Sequence, residues 1–117
     1  MKQEIIIEKA MALTSSLRYV AVYVNGELVS KQRSNISNSS ASESDKYEEL
    51  IVNPTLLKLA MQRGNIDCGG LNYIVIRYGN FFVLLFPVEG GHINFGFEPD
   101  ADPLEWVGPI KLLLDHF

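Results

Sequence analysis

The chain has 117 residues, of which 47% are hydrophobic, and a formal net charge of −4 at neutral pH. This length predicts a single domain over residues 1–117, because most domains run to about 100–150 residues. The hydrophobic content excludes a disordered chain. The acidic balance argues against nucleic acid or an anionic membrane surface as a partner, since both attract basic proteins.

Cysteine usage and the length of the apolar runs favour an intracellular protein. The single cysteine, Cys68, excludes an intramolecular disulfide bond and a cysteine-rich zinc site. The apolar runs are far shorter than the ~18–20 residues that span a bilayer. Glu8 and Lys9 interrupt the first apolar stretch before it could form a signal peptide. We therefore expect a cytoplasmic location without membrane insertion.

A helix and a hairpin are predicted at the start of the chain. Apolar residues three and four apart, ending with Leu17, predict a helix over residues 3–17. Residues 18–24 are rich in Val and Tyr and predict a strand. Asn25-Gly26 follows, and this pair favours the type I′ turn that joins two antiparallel strands.

The returning strand is predicted over residues 27–33, and it is polar on both faces. Its Lys31 and Arg33 are typical of a sheet edge that is protected from pairing with another chain. Residues 34–44 are rich in serine and can bury little surface, so they predict a loop that contributes little to stability.

A second helix is predicted over residues 45–63, and Pro54 interrupts it. Because proline removes a backbone donor and disfavours helical geometry at the preceding residue, the segment is either one kinked helix or two helices. In the second case Asn53 is the N-cap. Gly64 is placed to end the helix in a left-handed C-cap.

Three strands and a last helix complete the prediction. The middle strand is apolar on both faces, which places Leu84 and Phe86 in the core. Asp102 is a candidate N-cap for the final helix, in which Gly108-Pro109 must cause a bend or a restart. The predicted strands cover residues 71–78, 81–88 and 92–98.

Motifs that carry chemistry are missing from the sequence. Residues 64–69 have the glycine spacing of a phosphate-binding loop, but the Lys and Ser/Thr that would reach phosphate and magnesium are absent, so we interpret them as a turn. Cys68 could act as a nucleophile only if the fold brought His92 or His116 to it as a base. We expect no catalytic residues, no cofactor and no metal.

One predicted strand is unusual, because residues 71–78 are apolar on both faces except at Asn72 and Arg77. At the edge of a sheet such a strand would pair with another chain. Since Lys31 and Arg33 protect the other outer strand, one edge is blocked and one is open. This asymmetry favours a homodimer whose sheet continues into the partner.

Three stretches of the chain resemble the roadblock/dynein light chain family, in its bacterial type. Residues 18–29, RYVAVYVNGELV, are similar to the opening hairpin of the family. Residues 73–86 are similar to its paired central strands. The sequence GGHINFGFEPDADP, at residues 90–103, is similar to its last strand, acidic turn and the start of its final helix.

The resemblance implies a roadblock/profilin-like α/β sandwich with the element order α-β-β-α-β-β-β-α. Its five-stranded antiparallel sheet would have the strand order 2-1-5-4-3, with helices on both faces. It further implies a non-enzymatic homodimeric scaffold or regulatory subunit that binds a small Ras-like GTPase or a related complex, or that acts on dynein. The implied dimer interface consists of Leu71, Tyr73, Val75 and Arg77 of the third strand and Leu50, Leu57 and Met61 of the second helix.

A second interpretation is a profilin-like, PAS-like or GAF-like sensory module, which also wraps helices around a five- or six-stranded sheet. Such a module binds a small ligand in a pocket on one face. The polar side of residues 92–98, with His92, Asn94 and Glu98, would line that pocket. A cavity against this face would favour the sensory module, whereas dimerisation and a filled core would favour the scaffold.

Overall fold

A computed structural model describes residues 3–117 of the chain and places them in an α+β fold. The strands are β1 Leu17–Val24, β2 Glu27–Gln32, β3 Ile74–Arg77, β4 Phe82–Val88 and β5 Gly91–Phe97. The helical elements are α1 Gln3–Leu13, α2 Ser42–Tyr47, a π-helical segment Glu48–Val52, α3 Asn53–Asp67, a 3₁₀ turn Pro103–Trp106 and α4 Val107–Leu114.

The five strands form one antiparallel sheet in the order β2-β1-β5-β4-β3. The predicted five-stranded antiparallel sheet is therefore confirmed, with β2 and β3 at its two edges. The left-handed backbone of Asn25 and Gly26, with φ of 53° and 82°, fits the predicted hairpin turn between β1 and β2. None of the helices among residues 3–117 is long and apolar enough to cross a membrane.

The main core lies between the sheet and the pair formed by α1 and α4. Leu84 is fully buried and Phe86 nearly so, as predicted for a strand that is apolar on both faces. The alternating residues of β5 point into the same core, and they are Ile93, Phe95 and Phe97. A smaller cluster of Leu57, Val83 and Leu85 lies under α3 on the opposite face.

The first helix is shorter than predicted, and Arg33 has a different role. Helix α1 ends at Leu13, so Leu17 is the first residue of β1 and not part of a helical face. The Arg33 guanidinium donates to the carbonyl oxygens of Leu17 at 2.6 Å, Met11 at 2.7 Å and Thr14 at 3.0 Å. Arg33 therefore satisfies carbonyl groups at the end of α1, which the helix leaves without internal partners, and does not protect the β2 edge.

Helical structure is continuous from Ser42 to Asp67, because a π-helical segment accommodates Pro54. In a regular helix the ring of Pro54 would clash with the carbonyl group four residues earlier. The wider π-helical turn of Glu48–Val52 ends directly before Asn53-Pro54. Thr55 adds a side-chain hydrogen bond from Oγ1 to the carbonyl oxygen of Ile51 at 2.6 Å. Asn53 thus lies inside one continuous helical region, so of the two alternatives the single helix is the one observed, and Asn53 is not an N-cap.

Gly64 does not end the helix, and the predicted turn over residues 64–69 is helical as far as Asp67. The helix is closed by Gly69 and Gly70, whose φ values of 80° and 89° favour glycine. The backbone amide of Gly70 donates to the carbonyl oxygen of Gly64 at 3.0 Å. A Cβ on Gly64 would lie 3.1 Å from the Gly70 backbone, so the close approach of these segments favours a glycine there.

The third strand is four residues long, half of the predicted length of 71–78. It pairs with β4 from Ile74 opposite Leu85 to Arg77 opposite Phe82. At the other end of the chain Asp102 caps the 3₁₀ turn as predicted, since its Oδ1 accepts from the Leu104 amide at 3.1 Å. The helix then restarts at α4, in keeping with Gly108-Pro109.

Candidate functional site

A buried carboxylate lies between the sheet and the continuous helical region Ser42–Asp67, which we call the long helix. Glu49 is completely buried, and four side chains surround it. Its Oε1 lies 3.0 Å from Asn53 Nδ2 and 2.8 Å from His92 Nε2. Its Oε2 lies 3.1 Å from the Tyr19 hydroxyl and 2.7 Å from Asn94 Nδ2. We call these five residues the Glu49 cluster.

Four donors directed at one carboxyl group match the acceptor capacity of its ionised form. A carboxylate has about four lone-pair sites and no donor. In this arrangement the Asn53 and Asn94 amide groups and the Tyr19 hydroxyl donate, and the Nε2–H tautomer of His92 supplies the fourth hydrogen bond. Because every partner is a donor, the cluster offsets the cost of burying a charge.

The fold assembles the Glu49 cluster from the helical region Ser42–Asp67, from β1, which carries Tyr19, and from β5. Glu49 lies in the π-helical segment, and Asn53 follows four residues later, close to the same face of the helix. His92 and Asn94 occupy alternate positions of β5, so both face the helix. The predicted polar face of β5 therefore exists, but His92 and Asn94 are each only 1% exposed and bind Glu49.

A cavity of about 420 Å³ lies beside this cluster, between the helix and the sheet. Asn94 and Gly96 of β5 contribute to its lining, which places it against the face where the sensory-module interpretation expects a pocket. Glu48, Tyr78 and Phe81 line it on the side towards β3 and β4. Exposed residues such as Ser40, Tyr47 and Asn80 also border it, so it is a cleft that opens to solvent.

The predicted role of Glu98 in such a pocket is not supported. Its carboxylate accepts from Arg18 Nη1 at 3.0 Å and does not line the cavity.

The other guanidinium nitrogen of Arg18 donates to the carbonyl oxygens of Ser37 at 2.8 Å and Asn38 at 3.2 Å. Arg18 thereby attaches the serine-rich loop to the sheet. The expectation that the loop contributes little to stability is not supported, because its loss would leave a buried guanidinium short of acceptors.

Glu48 adds a second carboxyl group to the wall of the cavity. Its carboxyl group accepts from the Tyr78 hydroxyl at 3.2 Å. Burial, and then the negative charge of Glu49, raise the pKa of Glu48 above its usual value. Burial also raises the pKa of Tyr19 and Tyr78, each next to one of these carboxyl groups, so both phenols stay protonated as donors.

We expect Glu48→Gln to raise the melting temperature at neutral pH. Because the pKa of Glu48 is raised by folding, its contribution to stability is present at acid pH and is lost as pH rises through the raised pKa. Glutamine removes this loss and keeps an acceptor for Tyr78. Melting curves of both proteins across pH should therefore differ at pH 7 and converge below the usual glutamate range. A variant that is less stable than the wild type at pH 7 would contradict the assigned burial effect.

The residues predicted for the dimer interface lie in different surroundings. Val75 is 37% exposed on the edge strand, and Arg77 beside it is exposed as well. Leu57 is 5% exposed and packs inside the chain against Val83 and Leu85, so it offers little surface to a partner.

The other four predicted interface residues do not form one surface. Leu71 packs against the smaller cluster and Tyr73 against the main core, each half-buried. Leu50 is exposed on the helix. Met61 lies in a groove beside Tyr23 of β1, away from β3, so the structure does not bring it together with the edge strand.

The candidate nucleophile and bases are not brought together. Cys68 is exposed at the end of α3, where its thiol lies 3.4 Å from the Asp67 carboxylate. His92 is buried against Glu49, and His116 lies in the last turn of the chain. Among residues 3–117, no group of three or more His, Cys, Asp or Glu side chains is placed to hold a metal ion.

Comparison with known proteins leaves the family resemblance as a hypothesis. No protein-family model matches the chain, and the search of curated proteins finds no significant match. The strand order is the one that the resemblance implies. A shared strand order describes a fold, however, and does not assign an activity.

Proposed function

We propose that this chain is a non-enzymatic, cytoplasmic interaction module that forms a homodimer through β3 and the exposed face of the long helix. The observation that carries this proposal is the concentration of exposed apolar side chains on one helix. Of twelve large hydrophobic residues that are exposed within residues 3–117, seven lie between Ser42 and Asp67. They are Tyr47, Leu50, Ile51, Leu56, Leu59, Met61 and Ile66. Met61 lies in the groove beside Tyr23 and is not part of the proposed interface.

The edge strand supports a second copy of the chain as the occupant of this surface. Within residues 3–117, β3 pairs only with β4, so one row of its backbone donors and acceptors faces outwards. Ile74 and Ile76 are half-buried against the smaller core cluster and would become buried when another strand is added. Two identical edges can pair about a twofold axis, which is the commonest symmetry of oligomers.

The short strand makes the helix necessary to the proposed interface. Four residues of β3 cannot supply the ~1,000 Å² or more that a specific interface usually buries. Exposed apolar residues of α3, such as Leu56 and Leu59, would provide the remaining area.

The proposed partner of the dimer is a small Ras-like GTPase or a related complex, as the family resemblance implies. A composite surface made by two subunits suits a globular partner better than a cavity within one subunit. On this proposal the Glu49 cluster has a structural role, since all four acceptor sites of its carboxylate are used within the chain.

Val75→Lys should convert the dimer into a folded monomer and abolish partner binding. It places a charge on the open edge, whereas Ser30→Lys places the same charge on the exposed opposite edge, β2, and serves as the matched control. We would recover GTPases from native lysate on the wild type and titrate both variants by calorimetry. Undiminished affinity of a folded Val75→Lys monomer would contradict the proposal.

A second candidate function is a sensory module that binds a small ligand. The cavity of about 420 Å³ against β5 favours it, because ligand sites have volumes of roughly 300–1,000 Å³. This candidate does not require a dimer, so ligand binding by a monomeric variant would distinguish it from the interaction module.

A further inference from the structure

The long helix buries very little of itself against the sheet. Between Ser42 and Asp67 only Glu49, Asn53, Leu57 and Gly64 are buried. Of these, Leu57 alone has a large apolar side chain, whereas seven large hydrophobic residues of the same helix are exposed. Because burial of apolar surface is the main force that holds packed elements together, the helix is attached more weakly than its length suggests.

The polar attachment of the long helix is narrow as well. Within residues 3–117, the side-chain hydrogen bonds from the helix to the sheet come from two adjacent residues. Glu49 accepts from side chains of β1 and β5, and Glu48 accepts from Tyr78 directly after β3. When the helix leaves the sheet, water replaces these partners and the Glu49 charge regains the hydration that burial removed. These contacts therefore fix the position of the docked helix but contribute little net free energy to keeping it docked.

The sheet and the main core are complete without the long helix. Each strand pairs with a neighbouring strand, and the buried residues of the main core come from α1, α4 and the strands. On the opposite face of the sheet, the helix contributes Leu57 to the smaller cluster. Detachment of the helix would therefore uncover Val83 and Leu85 of that cluster and leave the main core intact.

The segments that join the long helix to the sheet allow it to move. Residues 39–41 before the helix are exposed, and they follow the point where Arg18 attaches the serine-rich loop. Gly69 and Gly70 follow its C-terminal end with φ of 80° and 89°, and glycine changes its backbone angles at low cost. A few residues of this kind are enough to absorb the dihedral changes of a moving element.

We propose that the long helix is a detachable element, which leaves the sheet as a unit while the sheet and the main core stay folded. It is a cover that controls access to the apolar face of β3 and β4, on which Val83 and Leu85 lie. This inference goes beyond the interaction module and does not depend on dimerisation. A dimer formed through β3 and the outer face of the helix would hold the cover in place.

The test is hydrogen exchange of backbone amides, followed by NMR, in urea concentrations below the unfolding transition. It is made on the monomeric chain, which is Val75→Lys if light scattering shows that the wild type is a dimer. We expect the amides of residues 49–66 to exchange at least about tenfold faster than the slowest amides of β5, with one shared and shallower dependence on urea. Equal rates and equal urea dependence in the helix and β5 would overturn the proposal, whereas the wild-type mass tests the interaction module separately.

Two core substitutions distinguish a detachable helix from a single cooperative unit. Ile93→Val weakens the main core, which stays formed when the helix detaches, so β5 amides should exchange about two- to tenfold faster while helix amides stay unchanged. Leu57→Ala removes a contact that is lost in both kinds of opening, so both sets should exchange faster by a similar factor, at least about tenfold. Equal acceleration of helix and β5 amides by Ile93→Val would overturn the proposal.

Discussion

Glu49→Ala should lower the free energy of unfolding by about 3–5 kcal/mol, which is typical when one partner of a buried charged network is removed. The substitution leaves Tyr19, Asn53, His92 and Asn94 facing an empty space without their shared acceptor. Buried donors without partners are costly, and the lost volume adds to that cost. Chemical denaturation of both proteins at pH 7 measures the difference.

Glu49→Gln should lower the free energy of unfolding by less, about 1–3 kcal/mol, because one oxygen and its acceptor sites remain. Its new amide group replaces one oxygen and can donate to Oδ1 of Asn53 or of Asn94 after that side chain rotates; neither oxygen has a hydrogen-bond partner among residues 3–117. The adjacent Glu48→Gln is the control, since the same chemical change there is expected to stabilise. A loss below about 1 kcal/mol for Glu49→Ala would show that the Glu49 cluster does not hold the helix on the sheet.

Leu84→Ala should lower the free energy of unfolding by about 2–5 kcal/mol. Leu84 is fully buried in β4 between β3 and β5, at the centre of the main core. Truncation removes buried methyl groups and leaves a cavity that strands paired on both sides cannot close.

Leu112→Ala is the matched control for this change, because Leu112 is 64% exposed on α4. Its effect should stay within about 0.5 kcal/mol, as for most surface substitutions. Urea denaturation of the three proteins gives the comparison. Similar losses of unfolding free energy in the two variants would mean that Leu84 does not lie in the core.

The sheet could be predicted because its signals are local. Each signal is contained within a few residues of the sequence. The signals are the alternation in β5, the apolar character of both faces of β4 and the Asn25-Gly26 turn. The end of α1 was missed because Leu17 continues the helical spacing of apolar residues, although the strand that follows already includes it.

The candidate site could not be predicted, because it depends on contacts between distant parts of the chain. Glu49 stands in a run of charged residues typical of an exposed helix surface, and only the π-helical segment before Pro54 places it against the sheet. Residues more than forty positions away supply two of its donors. An alternating polar face on β5 was a usable signal for those donors, but not for the carboxylate that they bind.

The mass of the wild-type chain in solution tests the central claim of a homodimer most directly. Light scattering coupled to size exclusion should give twice the 13.1 kDa of the single chain at micromolar concentrations, and Val75→Lys should give the single-chain mass with an unchanged circular dichroism spectrum. A wild-type mass of one chain across that range would contradict the account, because β3 and the apolar helix face would then have no second copy to cover them.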